Sequence, residues 1–321
     1  MLPVLLAAVL TATPDSCLST SREFTVRVLA GHTIAAVLET RSPGLKRPAV
    51  VLISGAGAHT RDYSTALSDD TSNQAFAALS RRLVDAGFAV VRFDERGTGK
   101  SSGDYERTAT TATLAEDVGA LLFALGLRAE IDASRIALVG HSDRGASAAL
   151  VAAHQPRVGA IALLSSPSWN GRRIMDWQDE YAVRFGSWPS AFAAEESRRE
   201  WLATERQRRM TTESWFPYFL DYEPLPAIRH VRAPVLILHG DADTQVTPEQ
   251  ARDLERAARE SGNPDVTLHV LPGHSHGLVD PAEAFPEPLT PLVGDRLVEW
   301  LATIFRHQPR PLTCGAASGA T

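Results

Sequence analysis

The chain has 321 residues, a length that suits one large domain or two small ones. Hydrophobic residues at 44% and charged residues at 22% describe a folded globular protein and exclude a disordered one, and ordinary Gly and Pro usage excludes a collagen-like repeat. The net charge is −6 with no Lys/Arg block able to neutralise phosphates, which argues against a nucleic-acid partner.

Met1–Leu10 (MLPVLLAAVL) is an apolar run of signal-peptide length. It is shorter than the roughly 20 residues a bilayer span takes, so no integral membrane segment is expected. Small residues follow it, although no Lys or Arg precedes it. We therefore expect residues 1–21 to be a signal peptide or a disordered start, and the protein to be periplasmic or extracellular, with the cytoplasm as the alternative. Cys17 and Cys314 lie near opposite ends and can form neither a disulfide framework nor a cysteine zinc site; at most they make one staple.

From Phe24 onward apolar runs alternate with helical stretches. Phe24–Leu29 and Ile34–Glu39, joined across Gly31-His32, predict a β-hairpin. Ala49–Ile53 predicts a buried strand stopped by the glycine loop Ser54-Gly55-Ala56-Gly57. A helix over Phe76–Ala86 leads to a strand at Phe88–Phe93. A helix at Leu114–Leu127, a strand at Ile136–Val139, a helix at Ala146–His154 and a strand at Val158–Leu164 follow. The order ends with Val235–Leu238 (strand), Pro248–Glu260 (helix), Val266–Leu271 (strand) and Leu292–Phe305 (helix). Such alternation, with strands apolar on both faces, predicts an α/β fold: a mostly parallel sheet covered by helices on both sides. Right-handed crossovers then collect the strands' C-terminal ends on one edge, where ligands bind. We expect one domain over residues 22–306 and a tail over 307–321.

Residues 167–222 interrupt the pattern. They hold five of the six tryptophans and 12 of the 22 aromatics, interleaved with Arg and Glu, and Ala191–Met210 predicts an amphipathic helix. An insertion here would lie over the strand ends as a helical, aromatic-rich cap with a small core of its own.

Four loops carry the chemistry. Gly140-His141-Ser142-Asp143-Arg144-Gly145 joins a predicted strand to a predicted helix, the setting of a nucleophile elbow. A nucleophile there needs small residues two before and two after it. Gly140 meets the first need; Arg144 breaks the second, and glycine arrives one position late. The other three are Leu238–Val246 with its carboxylates, Leu271–Gly277 with its histidines, and the Ser54–Gly57 loop, which can aim a backbone N–H at the same point. The order Ser142, Asp243, His276 is that of one hydrolase fold. A serine hydroxyl needs an imidazole to take its proton and a carboxylate to fix the tautomer.

On Val50–Asp62, the Gly87–Gly103 stretch GFAVVRFDERGTGKSSG, the Ser142 elbow and the Asp243 and His276 loops, the chain resembles an α/β-hydrolase, and within that superfamily bacterial serine esterases of the prolyl-oligopeptidase-like group. The resemblance spans about Phe24 to Phe305. It implies hydrolysis of carboxylic esters with small to medium acyl groups through Ser142, His276 and Asp243, with an acyl-enzyme and no cofactor or metal. Backbone N–H groups of Asp143 and of Ala56 or Gly57 would form the oxyanion hole. It favours Asp243 over Asp241 as the acid and His276 over His274 as the base, and it assigns Asp94, Arg96, Gly97, Gly99 and Ser101 to loop architecture. Other readings stay open: a peptidase using the same triad, a nucleophilic Asp143, and a binding module whose elbow Arg144 has crippled. Arg144 itself could contact substrate, pair with Asp143 or a cap carboxylate such as Asp176 or Glu180, or bend out to solvent. Oligomeric state is not readable.

Overall fold

The computed structural model describes residues 19–41, 46–63, 75–279, 289 and 291–307. Residues 1–18 of the expected signal peptide or disordered start, both cysteines and nearly all of the tail fall outside them, whereas Ser19, Thr20 and Ser21 belong to the first strand. The chain order is β1 (Ser19–Arg27), β2 (Thr33–Arg41), β3 (Arg47–Ile53), α1 (Ala75–Asp85), β4 (Ala89–Phe93), α2 (Tyr105–Thr108), α3 (Thr111–Gly126), β5 (Ile131–His141), α4 (Arg144–His154) and β6 (Val158–Leu164). Then come α5 (Gly171–Phe185), a 3-10 turn (Ser190–Phe192), α6 (Glu195–Thr212), α7 (Trp215–Asp221), α8 (Pro224–His230), β7 (Val235–Gly240), α9 (Pro248–Glu260), β8 (Val266–Leu271) and α10 (Pro291–Ile304).

The eight strands form one sheet in the order β1-β2-β4-β3-β5-β6-β7-β8. The hairpin β1–β2 and the β2–β4 pair are antiparallel, and every later pairing is parallel. Gly31, at φ 96°, turns the hairpin, a conformation glycine reaches without strain. The central strands are buried on both faces, and alternate residues serve opposite cores. Ala49, Val51 and Ile53 pack with α3, α4, α8 and α9, whereas Val50 and Leu52 pack with α1 and α10. Each such Val, Leu or Ile removes enough surface from water to contribute about 1.5–3 kcal/mol. Covering both faces is what permits uninterrupted apolar strands.

Residues 171–221 form α5, the 3-10 turn, α6 and α7. The long helix expected at Ala191–Met210 begins instead at Glu195. Arg198 explains the break: its guanidinium donates to the carbonyls of Val183 (2.8 Å), Phe192 (2.8 Å) and Ala193 (3.0 Å), which closes the preceding turn and ties it to α5. Helix α7 seats this layer through Trp215, Phe216 and Leu220, which pack on Tyr105, Ala109 and Leu114. Among the described residues no helix is long and apolar enough to cross a membrane.

Candidate active site

Ser142 stands between β5 and α4 at φ 53°, a left-handed conformation that a serine adopts only when its surroundings impose it. Its N–H donates to Leu164 C=O (2.8 Å) and its C=O accepts from Gly145 N–H (3.0 Å), which pins the turn on both sides. A Cβ on Gly140 would lie 2.5 Å from the Arg144 carbonyl oxygen, and one on Gly145 would lie 1.9 Å from Ser166 Oγ. The tight approaches are thus at 140 and 145. The position the sequence pattern reserves for a small residue, 144, has room for an arginine because its side chain runs inward beside Asp143.

The carboxylate and histidine loops follow β7 and β8, which pair in parallel, and bring their residues to the same sheet edge. His276 Nε2 lies 3.0 Å from Ser142 Oγ, and His276 Nδ1 lies 2.8 Å from Asp243 Oδ2. A carboxylate only accepts, so Nδ1 carries the proton and Nε2 presents a lone pair to the serine hydroxyl. The other Asp243 oxygen, Oδ1, accepts from the N–H groups of Gln245 and Val246, both at 2.9 Å. His239 Nε2 lies 2.7 Å from Val246 C=O and 3.3 Å from Asp243 Oδ2; with acceptors on both sides, it too carries hydrogen. Burial works against the charge of Asp243, yet hydrogen bonds from His239, His276 and the Val246 N–H outweigh it and hold the carboxyl well below the usual range. Asp241 and His274 turn elsewhere: Asp241 accepts from Gly273 N–H (2.6 Å), and the His274 ring bonds Pro272 C=O (2.9 Å).

Neither His141 nor Tyr63 carries a catalytic role in the reading of the sequence. Both touch this constellation. His141 is buried; its Nε2 donates to His276 C=O (3.0 Å), and its Nδ1 accepts from the Tyr63 hydroxyl (2.5 Å). Burial, together with nearby His276, depresses the His141 pKa to about 3, so the ring stays neutral. The signal available was its place beside Ser142, a polar side chain ending an apolar strand. Tyr63 carried no comparable signal, because only the folded loop after β3 brings it there.

The glycine loop is held from below. His59 N–H donates to Glu95 Oε2 (3.1 Å), and its ring Nε2 donates to Ala56 C=O (2.8 Å). Gly57 takes φ 109°. Asp94 accepts from the Arg61 backbone N–H (2.9 Å) and Nη2 (2.7 Å) and from Lys100 N–H (3.0 Å), while Arg96 pairs with Asp117 at 2.8 Å. Arg144 neither bends to solvent nor reaches Asp176 or Glu180. It is 1% exposed and donates to Glu95 Oε1 (3.0 Å), Asp143 Oδ2 (2.5 Å) and the Tyr105 hydroxyl (2.6 Å). Of the fates considered for it, the pairing with Asp143 is the one present, and Tyr105 extends it toward α7. Asp176 and Glu180 pair with Arg206 and Arg199, from α5 to α6. Burial raises the Asp143 carboxyl against the pull of Arg144, and pushes Glu95 up to about 7.

A cavity of about 710 Å³ opens beside the glycine loop, lined by Ala56, Gly57 and Tyr105 and by Glu205, Arg209 and Trp215 of α6 and α7; neither Ser142 nor His276 lines it. Helix α5 grips the carboxylate loop: Trp177 Nε1 donates to Thr244 C=O (3.0 Å) and Gln178 Nε2 to Gln245 C=O (3.1 Å).

Residues 74–290 match the prolyl oligopeptidase family. A candidate carbamate hydrolase, RutD, of Variovorax paradoxus (strain S110) is 28% identical over 231 residues, covering 62% of this chain and 79% of that protein. Acylamino-acid-releasing enzyme 2 of Oryza sativa subsp. japonica is 26% identical over 74% of this chain, which spans only 28% of that longer enzyme. Among solved structures, an esterase of Pyrococcus furiosus superposes with a TM-score of 0.64 at 15% identity, over 96% of this chain and 97% of that one. The chain belongs to the prolyl oligopeptidase family and is a hydrolase built on the α/β-hydrolase fold.

Proposed function

We propose that the protein is a serine hydrolase that cleaves carboxylic esters of small to medium acyl groups through Ser142, His276 and Asp243. The observation that carries this reading is the continuous hydrogen-bond chain from Ser142 Oγ through the His276 ring to Asp243, set on a left-handed elbow. His276 Nε2 takes the hydroxyl proton as Oγ attacks the carbonyl carbon, and Asp243 steadies the imidazolium that forms. The tetrahedral oxyanion accepts from the N–H groups of Asp143 and of Ala56 or Gly57. The same Nε2 proton passes to the departing alkoxide, leaving an acyl-serine. Water then enters and gives one proton to His276 as its oxygen attacks the acyl carbon; collapse of this second tetrahedral species breaks the bond to Ser142 Oγ, which takes the proton back from His276 as the acid leaves. No step passes through a metal or cofactor.

The family match and the plant acylamino-acid-releasing relative favour a second reading, hydrolysis of peptide amides by the same groups. A series of p-nitrophenyl esters of rising chain length, run beside peptide amides and in excess chelator, separates the two. We expect ester turnover that chelator leaves intact and that Ser142→Ala lowers by at least about 10³-fold. Amide turnover exceeding ester turnover would move the assignment to a peptidase, and no turnover with either panel would leave a binding fold.

A further inference from the structure

We propose that Arg144 is a positioning residue that sets both sides of the oxyanion hole. The inference rests on the reading of Ser142 as nucleophile, with Asp143 and the Ala56–Gly57 loop as donors. One buried guanidinium holds both partners. Its Nη1 grips the carboxylate of Asp143, the residue whose N–H follows the nucleophile. Its Nε binds Glu95 Oε1, and the second oxygen of Glu95 accepts from His59 N–H. The His59 ring in turn donates to Ala56 C=O. That last bond matters because Ala56 C=O and Gly57 N–H belong to one planar trans peptide and point in opposite directions. Fixing the carbonyl toward His59 fixes the Gly57 N–H away from it.

Four side chains thus connect two donors that come from different strands, β5 and β3. The third guanidinium bond, to Tyr105, ties this frame to the residues beneath α7. Only arginine has the planar fork to serve three acceptors at once; lysine supplies a point charge. Glycine at 144 would leave Glu95 and Asp143 buried together without a cation, an expensive arrangement. The residue that breaks the elbow pattern therefore substitutes a bonded network for simple close packing.

Catalysis depends on donors aimed at the oxyanion rather than at the ground-state carbonyl, so misaiming them should lower kcat and spare KM. The experiment compares the native chain with Arg144→Lys, Glu95→Gln and Ser142→Ala. It reads kcat and KM on a p-nitrophenyl ester, thermal unfolding, and inhibition by a trifluoromethyl ketone of the same acyl chain, whose hemiketal oxygen occupies the hole. We expect folded Arg144→Lys to lose about 10- to 100-fold in kcat with KM within about threefold, and the ketone to weaken by a similar factor. Glu95→Gln should show the same signature more weakly. The proposal is overturned if folded Arg144→Lys keeps kcat within about threefold, or loses kcat with no parallel weakening of the ketone. It is equally overturned if neither variant folds, which would make the network a stability element. Retained turnover in Ser142→Ala removes the nucleophile reading itself; a dead Ser142→Ala beside a near-native Arg144→Lys removes only the inference about Arg144.

Discussion

Each candidate reacting atom at the site has its hydrogen-bonding capacity directed by a neighbour. Asp243 can orient His276 because His239 and two backbone N–H groups leave it no other low-energy direction. Asp243→Asn offers an amide that can bind the wrong imidazole tautomer, and kcat on esters should fall by about 10³- to 10⁴-fold with little change in fold. His276→Ala should be as damaging as Ser142→Ala while His274→Ala is tolerated; the reverse would place the base at His274. His141 makes a separate prediction about stability. Its pKa is about 3 in the folded chain against an ordinary 6.5, so between these values the unfolded chain holds a proton that the folded chain lacks. Acid therefore favours unfolding across that window, by at most ~1.4 kcal/mol per pH unit, and the penalty stops growing below about pH 3. His141→Gln keeps a donor and an acceptor without the titration. Denaturant unfolding at pH 7 and pH 4 should show the native chain losing more stability than the variant; equal losses would contradict the neutral buried ring.

Among the elements, the β5–α4 turn and the α5–α7 layer do most to shape the site. At the turn, Gly140→Ala places a methyl against the backbone of Arg144 and Gly145, where no flexible side chain can give way. We expect about 1–3 kcal/mol of destabilisation together with loss of activity, measured by urea unfolding and ester turnover. A neutral outcome would mean the turn is looser than its geometry states. In that layer, Trp177 and Gln178 of α5 hold the loop that carries Asp243, so the helix and the loop are mechanically linked. Trp177→Phe removes the bond to Thr244 C=O while keeping the ring. The strands and flanking helices were legible because burial on both faces writes them as short apolar runs between glycines and helical periods. The α5–α7 layer was legible only as a change in composition. Its helix boundaries depend on side chains such as Arg198 capping distant carbonyls, a contact that no local periodicity encodes.

Across the whole molecule, a parallel sheet delivers residues far apart in sequence to one edge, and this is why Ser142, Asp243 and His276 could be picked out by their positions after strands. Choosing between Asp243 and Asp241, or between His276 and His274, took a family resemblance, because both members of each pair lie in the same loop and only the fold decides which one turns inward. Arg144 was visible as an irregularity, but its partner Glu95 sits 49 positions away, and that pairing is set by β4 and β5 lying on either side of β3. Tyr63 was silent for the same reason. The central claim, that Ser142 is the nucleophile of an ester-cleaving hydrolase, is tested most directly by intact-protein mass spectrometry with peptide mapping after reaction with an alkyl fluorophosphonate. The account predicts a single adduct on Ser142, formed in step with loss of ester turnover and absent from Ser142→Ala. An adduct on another residue, or full inhibition of Ser142→Ala turnover by the same reagent, would contradict it.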